Sequence, residues 1–243
     1  MNFEAISESV PLYFSGTLTT LKLLLISLVA GLLAALPLGV MRASPKSWIS
    51  RPVWCFTYVI CGTPMLVQLF LIYYGLAQFE WIRESLLWLW LKSAWFCAVL
   101  AFAINTCAYT TEIIAGAIKA TNAGELEAAR SLGMSRSTVL RRILLPSALR
   151  RAMPAYSNEA IMMLHGTSLA SVVTLVDITG AAREMNSRFY LPFEAFLTAG
   201  IFYLALTFIL VGGFRWAENR WLAHLRPRQQ KRINKVVQQN HKK

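Results

Sequence analysis

Runs of about 20 consecutive apolar residues recur along this chain, and each is long enough to cross the ~30 Å hydrocarbon core of a bilayer as a helix. In lipid every backbone N–H and C=O must find a partner within the protein, which leaves helices or a closed barrel as the spanning structures. Continuous runs of this length read as helices. They fall near residues 12–41, 53–79, 86–118, 153–176 and 193–214. Of 243 residues, 56% are apolar and 15% charged, and no segment between the runs is long enough for a soluble domain. The expectation is an all-α integral membrane protein with five transmembrane helices, one domain over 1–226 and a basic tail over 227–243. The first and third runs exceed what a bilayer requires, so their ends project or tilt. Lys22 lies inside the first, on a stem long enough to snorkel to an interface.

The first residues, MNFEAISESV, carry Glu4 and Glu8 and no basic side chain. A cleaved signal needs a positive leading segment, so the first span is expected to be retained. The formal charge is +12, and its location decides its meaning. Most of the 24 basic residues lie between runs one and two (Arg42, Lys46, Arg51), between runs three and four (Lys119 to Arg151) and after run five. The opposite segments hold Glu80, Glu84, Asp177, Glu184 and Glu194 among few bases. The positive-inside rule then places the N-terminus outside, in the periplasm, and the C-terminus in the cytoplasm, a parity that five spans satisfy. The tail, RPRQQKRINKVVQQNHKK, has no interleaved aromatic residues, so it reads as lying on anionic lipid headgroups and not on nucleic acid. Cys55, Cys61, Cys97 and Cys107 show no CxxC or Cys/His spacing and read as buried, inert thiols with no metal or disulfide role.

Gly31, Ala35 and Gly39 repeat every four residues in the first run, and Ala108, Gly116 and Ala120, with Glu112 in register, do so in the third. Small residues at that spacing let helix backbones approach closely. A carboxylate on such a stripe faces protein or a wet cavity, because facing lipid is costly. Gly62-Thr63-Pro64 marks a bend near the start of the second run, since proline leaves backbone groups to be satisfied elsewhere.

The polar insertion after run three has a readable local plan. Asn122, with Glu125 three residues on, forms an N-cap, and Glu125 and Glu127 suit the positive end of the helix dipole. Ala128 and Ala129 leave a smooth surface, and Gly133 ends the helix in a left-handed cap. Ser135 caps a second helix from Arg136 to about Leu144, which Pro146 interrupts. A compact helix–turn–helix of this kind lies in a groove of a partner, or is a structural interfacial element.

Glu127-Ala128-Ala129, Gly133 and Ile143-Leu144-Leu145-Pro146 stand at the spacing of the cytoplasmic loop by which permeases of ATP-binding cassette (ABC) importers dock on their ATPase, and the loop resembles theirs. Cys61-Gly62-Thr63-Pro64, the segment Ala108 to Ile113 and the segment Pro154 to Glu159 resemble permeases of the polar amino-acid (histidine/lysine/arginine/ornithine) importers. The likeness covers about residues 12–226. Cys61 departs from it, because the family usually has arginine there. The resemblance implies a type I importer permease fold in a bacterial inner membrane, moving basic amino acids at the expense of ATP hydrolysed on a separate subunit. It implies as partners a homologous Q-type permease, two copies of an ABC ATPase and a periplasmic amino-acid-binding protein. ATP and Mg would be bound by the ATPase, and this chain would hold no cofactor, no metal and no catalytic site. Glu127, Ala128, Ala129, Gly133, Leu145 and Pro146 would form the coupling loop.

Glu112 and Glu159 are carboxylates at membrane depth, and His165 is the one histidine within a run. Glu159 shares a helical face with Ala155, Tyr156, Met162, Met163 and Gly166. A cationic amino acid crossing lipid needs compensating negative charge, and a carboxylate supplies charge-assisted hydrogen bonds to guanidinium or ammonium. Glu159, Glu112, His165, Thr167 and Ser168 are therefore the candidate pathway residues. Each also has a plainer reading: Glu112 pairs with a base on a neighbouring helix, His165 packs, and Thr167 and Ser168 bond back to helix carbonyls. No GxxxxGK[ST] run is present to cradle phosphates. An ion-coupled secondary transporter is the rival class, and it calls for internal repeats that this chain does not display. A non-transporting membrane scaffold, or a permease for neutral polar amino acids or opines, are further alternatives.

Overall fold

The structure, a computed structural model, describes residues 3–221 and is helical from end to end. The basic tail expected over 227–243 lies outside the described residues.

Helix α1 (Phe3–Arg42) starts well before the apolar run. Glu4 sits in its first turn, where a negative charge favours the dipole, and Ser7 and Ser9 donate back to the carbonyls of Glu4 and Ala5 at 2.9 and 2.8 Å. Polar residues thus extend the helix beyond its apolar part. At 1.5 Å per residue its 40 residues reach about 60 Å, twice the hydrocarbon thickness. One side of it organises the molecule. Its N-terminal part (Ala5, Tyr13) packs on Ile178, Ala181, Met185 and Ala195. Its middle (Leu23, Leu24, Leu28) meets Ala98, Phe102, Ala160 and Leu164. Its C-terminal part (Ala35) meets Cys107, Ile114, Ile118 and Ala148.

Helix α2 (Ser47–Cys61) is followed by α3 (Met65–Phe70), a π-turn (Leu71–Gly75) and a 3₁₀ turn (Leu76–Gln78). The second apolar run is therefore not one rod. It breaks at Gly62-Thr63-Pro64 through 100°, far beyond a kink. Short helices α4 (Glu80–Arg83) and α5 (Trp88–Leu91) precede α6 (Ala94–Lys119). The third helix begins after residue 86 because Ser93, extended at φ −89° and ψ 121°, interrupts the chain. Trp81, Leu86 and Trp90 ahead of it are exposed, as in an interfacial aromatic belt.

Helix α7 (Ala123–Ser131) and α8 (Arg136–Val139) form the polar insertion. A π-turn (Leu140–Leu144) leads into α9 (Leu145–Gly166), a 3₁₀ turn (Thr167–Val173), α10 (Ile178–Phe189) and α11 (Pro192–Trp221). Two expectations need correcting here. The second insertion helix is α-helical only to Val139, and Pro146 does not interrupt the chain. The π-turn pairs the Leu145 N–H with the Leu140 carbonyl, which resets the hydrogen-bond register. Pro146 then falls in the first turn of α9, where its missing N–H costs nothing. The fourth helix accordingly starts at Leu145, ahead of residue 153.

Among the described residues three helices, α1, α6 and α11, are each long and apolar enough to cross a bilayer. Two bent pairs meet the same criterion together: Ser47–Cys61 with Met65–Gln78, and Arg136–Val173 with Ile178–Phe189, the latter bent by 47°.

The α1–α6 interface uses the expected glycines of α1 but another face of α6. A Cβ on Gly31 would lie 2.3 Å from Thr106 Cγ2, and one on Gly39 would lie 2.6 Å from Ile114 Cγ2. The backbones touch there. On α6, by contrast, Gly116 is exposed with no neighbour against it, so the Ala108–Gly116–Ala120 stripe is not the α1-packing surface. Small residues permit close approach, and the partner's shape decides which of them meet it.

Candidate functional site

The 100° break in the second run opens a cavity of about 680 Å³ against α6 and α9. Its walls are Cys61, Gly62, Thr63, Pro64 and Met65 from the break, Asn105, Tyr109 and Ile113 from α6, and Ala155, Asn158, Glu159, Met162 and Met163 from α9. Among the described residues, Glu159 is the single carboxylate in this lining, and no basic side chain belongs to it. Its residue is only 8% exposed.

A side chain within lipid-depth structure must satisfy the carbonyls that a break frees, and Gln68 does so. Its amide Nε2 donates to the carbonyls of Ile60 (2.7 Å) and Thr63 (3.0 Å) and lies 2.8 Å from Thr63 Oγ1. Its Oε1 accepts from Asn105 Nδ2 at 3.0 Å, which ties the break to α6 at the cavity wall. The Tyr109 hydroxyl donates to the Cys61 carbonyl at 3.3 Å. Gln68 and Asn105 escaped the sequence reading, and Tyr109 and Asn158 entered it only within segments that carry the resemblance. For the three amides the signal available was a polar side chain within an apolar run, which is costly in lipid and so marks a partner or a cavity.

The candidate pathway residues separate in space. Glu159, Ala155, Met162 and Met163 share the cavity as their spacing implied. Tyr156 does not: it turns toward α1 and donates to the Leu28 carbonyl at 3.4 Å. Glu112 is outside the lining. Arg42 Nε donates to its Oε1 at 2.7 Å, and the Thr57 hydroxyl donates to the same oxygen at 2.6 Å. One carboxylate thereby joins α1, α2 and α6. His165 is exposed and lies 3.3 Å from Thr207 Oγ1 on α11. Thr167 is buried and donates back to the Leu164 carbonyl at 2.6 Å. Ser168 is half-buried, and its carbonyl accepts from Ser171 Oγ at 3.0 Å. Cys97 and Cys107 are buried as expected, Cys61 is partly so, and Cys55 is exposed.

The insertion has the caps its sequence called for. Asn122 Oδ1 accepts from the Gly124 N–H at 3.0 Å, Gly133 sits at φ +74°, and Ser135 Oγ accepts from the Thr138 N–H at 3.3 Å. The two alanines face opposite ways. Glu127 and Ala128 are exposed, whereas Ala129 is buried. Leu132, at 81% exposure, stands beside Glu127 and Ala128 at the end of the helix. Leu145 and Pro146 are half-buried at the root of α9. Among the described residues no group of three or more His, Cys, Asp or Glu is arranged to hold a metal ion.

Bent helices around a membrane cavity, with a capped helix pair outside it, define the class. The family described as the binding-protein-dependent transport system inner membrane component matches residues 27–222, and the chain belongs to it. Its similarity runs in particular to the histidine/lysine/arginine/ornithine transport system permease protein HisM of Escherichia coli K12, at 47% identity over 88% of this chain and 90% of that protein. The nopaline transport system permease protein NocM of Agrobacterium fabrum is 44% identical over 94% of this chain and 95% of that one. Among solved structures, an amino acid ABC transporter crystallised with histidines superposes with a TM-score of 0.80 at 34% identity, covering 90% of this chain and 99% of that one. A chain of the inward-facing MetNI methionine ABC transporter shares the fold, with a TM-score of 0.71 at 18% identity over 90% and 98% of the two chains.

Proposed function

We propose that this chain is a permease subunit of an ABC importer that carries basic amino acids (histidine, lysine, arginine and ornithine) across a bacterial inner membrane. The observation that carries the substrate class is the cavity of about 680 Å³ whose lining, among the described residues, has Glu159 as its one carboxylate and no cation. A guanidinium or ammonium leaving water needs such a countercharge, and the methionines and small residues beside it adapt to side chains of different length. Each bent pair is one crossing, which with α1, α6 and α11 makes five, the N-terminus periplasmic and the C-terminus cytoplasmic. The basic residues of α7 to α9 support that orientation.

In this reading the chain pairs with a homologous Q-type permease to enclose the path. Two copies of an ATPase, which bind the ATP and Mg, dock beneath the permease pair through its two loops, α7 and α8 forming this chain's loop, and a periplasmic binding protein delivers substrate. Glu127, Ala128 and Gly133 belong to the docking element. ATP-driven closure of the ATPases displaces α7 and α8, and the gate between the two permeases opens outward. This chain moves solute and leaves hydrolysis to its partner.

The test is uptake by the complete complex in proteoliposomes with its binding protein. Charge-assisted hydrogen bonds are worth about 1.5–3 kcal/mol, so Glu159→Gln should lower lysine and arginine uptake by about tenfold or more. Histidine at pH 8, where the imidazole is neutral, should lose less. Equal losses for all three would remove Glu159 from the substrate path. The likeness to NocM, and to the octopine permease OccM of Rhizobium meliloti at 43% identity, favours opines as a second substrate class. Competition of arginine uptake by nopaline or octopine separates the two.

A further inference from the structure

The residue that joins the cytoplasmic insertion to the membrane helices is Arg151. Its Nη1 donates to the Ala120 carbonyl at 3.0 Å, at the C-terminal end of α6. Its Nη2 donates to Thr121 Oγ1 at 2.7 Å and to Ser147 Oγ at 3.2 Å. Thr121 directly precedes the Asn122 cap that starts α7, and Ser147 directly follows Pro146 where the chain re-enters a long helix. One guanidinium therefore holds both roots of the insertion. Behind it the roots also share apolar packing of Ile118 against Ala148. A planar fork with several donors can hold two chain segments at once, which a single ammonium does poorly.

We propose that Arg151 is the positioning residue that makes the insertion a lever: by clasping its two roots it forces displacement of α7 and α8 to be passed to α6 and α9 together. Without the clasp, motion at α7 is taken up by bending at residues 120–122 and at the π-turn. The proposal rests on the reading of the insertion as the ATPase-docking element.

The plainer role is that Arg151 only caps the negative end of α6, a position any cation satisfies. The experiment separates the two. Arg151→Lys and Arg151→Ala complexes, reconstituted with ATPase, partner permease and binding protein, are assayed for ATP hydrolysis and for lysine transported per ATP. We expect both variants to hydrolyse ATP within about twofold of wild type while lysine moved per ATP falls about tenfold. Thr121→Cys and Ser147→Cys, at positions whose hydroxyls reach the same nitrogen, joined by a short bifunctional thiol reagent in a chain whose four native cysteines are replaced, should restore the ratio in Arg151→Ala. A Lys variant that moves as much lysine per ATP as wild type overturns the clasp, and so does a cross-link that restores nothing. If Arg151→Ala does not assemble, the Lys variant alone decides. A wild-type chain that recruits no ATPase would instead sink the underlying reading of the insertion, leaving a distinct signature.

Discussion

Two glutamates of the long helices, Glu112 on α6 and Glu159 on α9, have opposite surroundings. Glu112 is held by Arg42 and Thr57, with side chains 17% and 40% exposed for Arg42 and Glu112. Glu159 faces a cavity whose lining, among the described residues, holds no cation. A carboxylate tied to an arginine fastens helices, and one without a countercharge invites a mobile cation. Removing one partner of the Arg42–Glu112 pair leaves the other charge half-buried, at a cost between the limits for exposed and buried pairs, about 1–2 kcal/mol. Glu112→Gln should therefore lower the unfolding midpoint of the purified complex, and Arg42→Gln should do so by a similar amount. The double variant should cost less than the sum of the two. Additive losses in a double-mutant cycle would show that the contact is energetically idle. The selectivity among basic amino acids, unlike the loss of Glu159, should be unchanged by these variants.

At the scale of elements, the polar insertion was the most legible part of the chain, because caps are local chemistry. Asn122, Gly133 and Ser135 act within a few residues of themselves, so neighbouring letters suffice to read them. Gly133, at φ +74°, has open space around it, so a larger residue there meets backbone strain and no clash. A left-handed backbone costs a side chain roughly 1–2 kcal/mol. Gly133→Leu should leave membrane insertion intact and reduce ATPase co-purification several-fold, and Gly133→Asn, which tolerates that conformation, should be milder. Equal co-purification of all three proteins would mean the turn has no part in docking. The bend at Gly62-Thr63-Pro64 was legible as a position and not as an angle. Glycine and proline announce a break, but 100° is held by Gln68 reaching back to Ile60 and across to Asn105, and no local pattern specifies that reach. The π-turn before Pro146 was likewise hidden, since it is a register change that apolar letters do not record.

For the whole molecule, the proposed orientation places the insertion and the aromatic segment before α6 on opposite sides of the membrane. Leu132 and Leu86 are both highly exposed, so cysteines there, in a chain otherwise stripped of thiols, report the side directly. A membrane-impermeant maleimide should label Leu132→Cys only in inside-out vesicles and Leu86→Cys only in right-side-out ones. The reverse pattern would put α7 and α8 beyond the reach of any cytoplasmic ATPase and end the proposed mechanism.

Composition and order alone determined that this chain is helical and built to lie in lipid, because run length and charge placement act on each segment separately. They also determined the capped shape of the insertion and marked Glu159 as a candidate. Only the tertiary structure decided which face of α6 receives α1, that Glu112 is tied to a base 70 residues away and that Gln68 and Asn105 brace the cavity. It also decided that one arginine grips both roots of the insertion. Those facts depend on which distant side chains are brought within hydrogen-bond reach, and periodicity along a single helix carries no record of its neighbours.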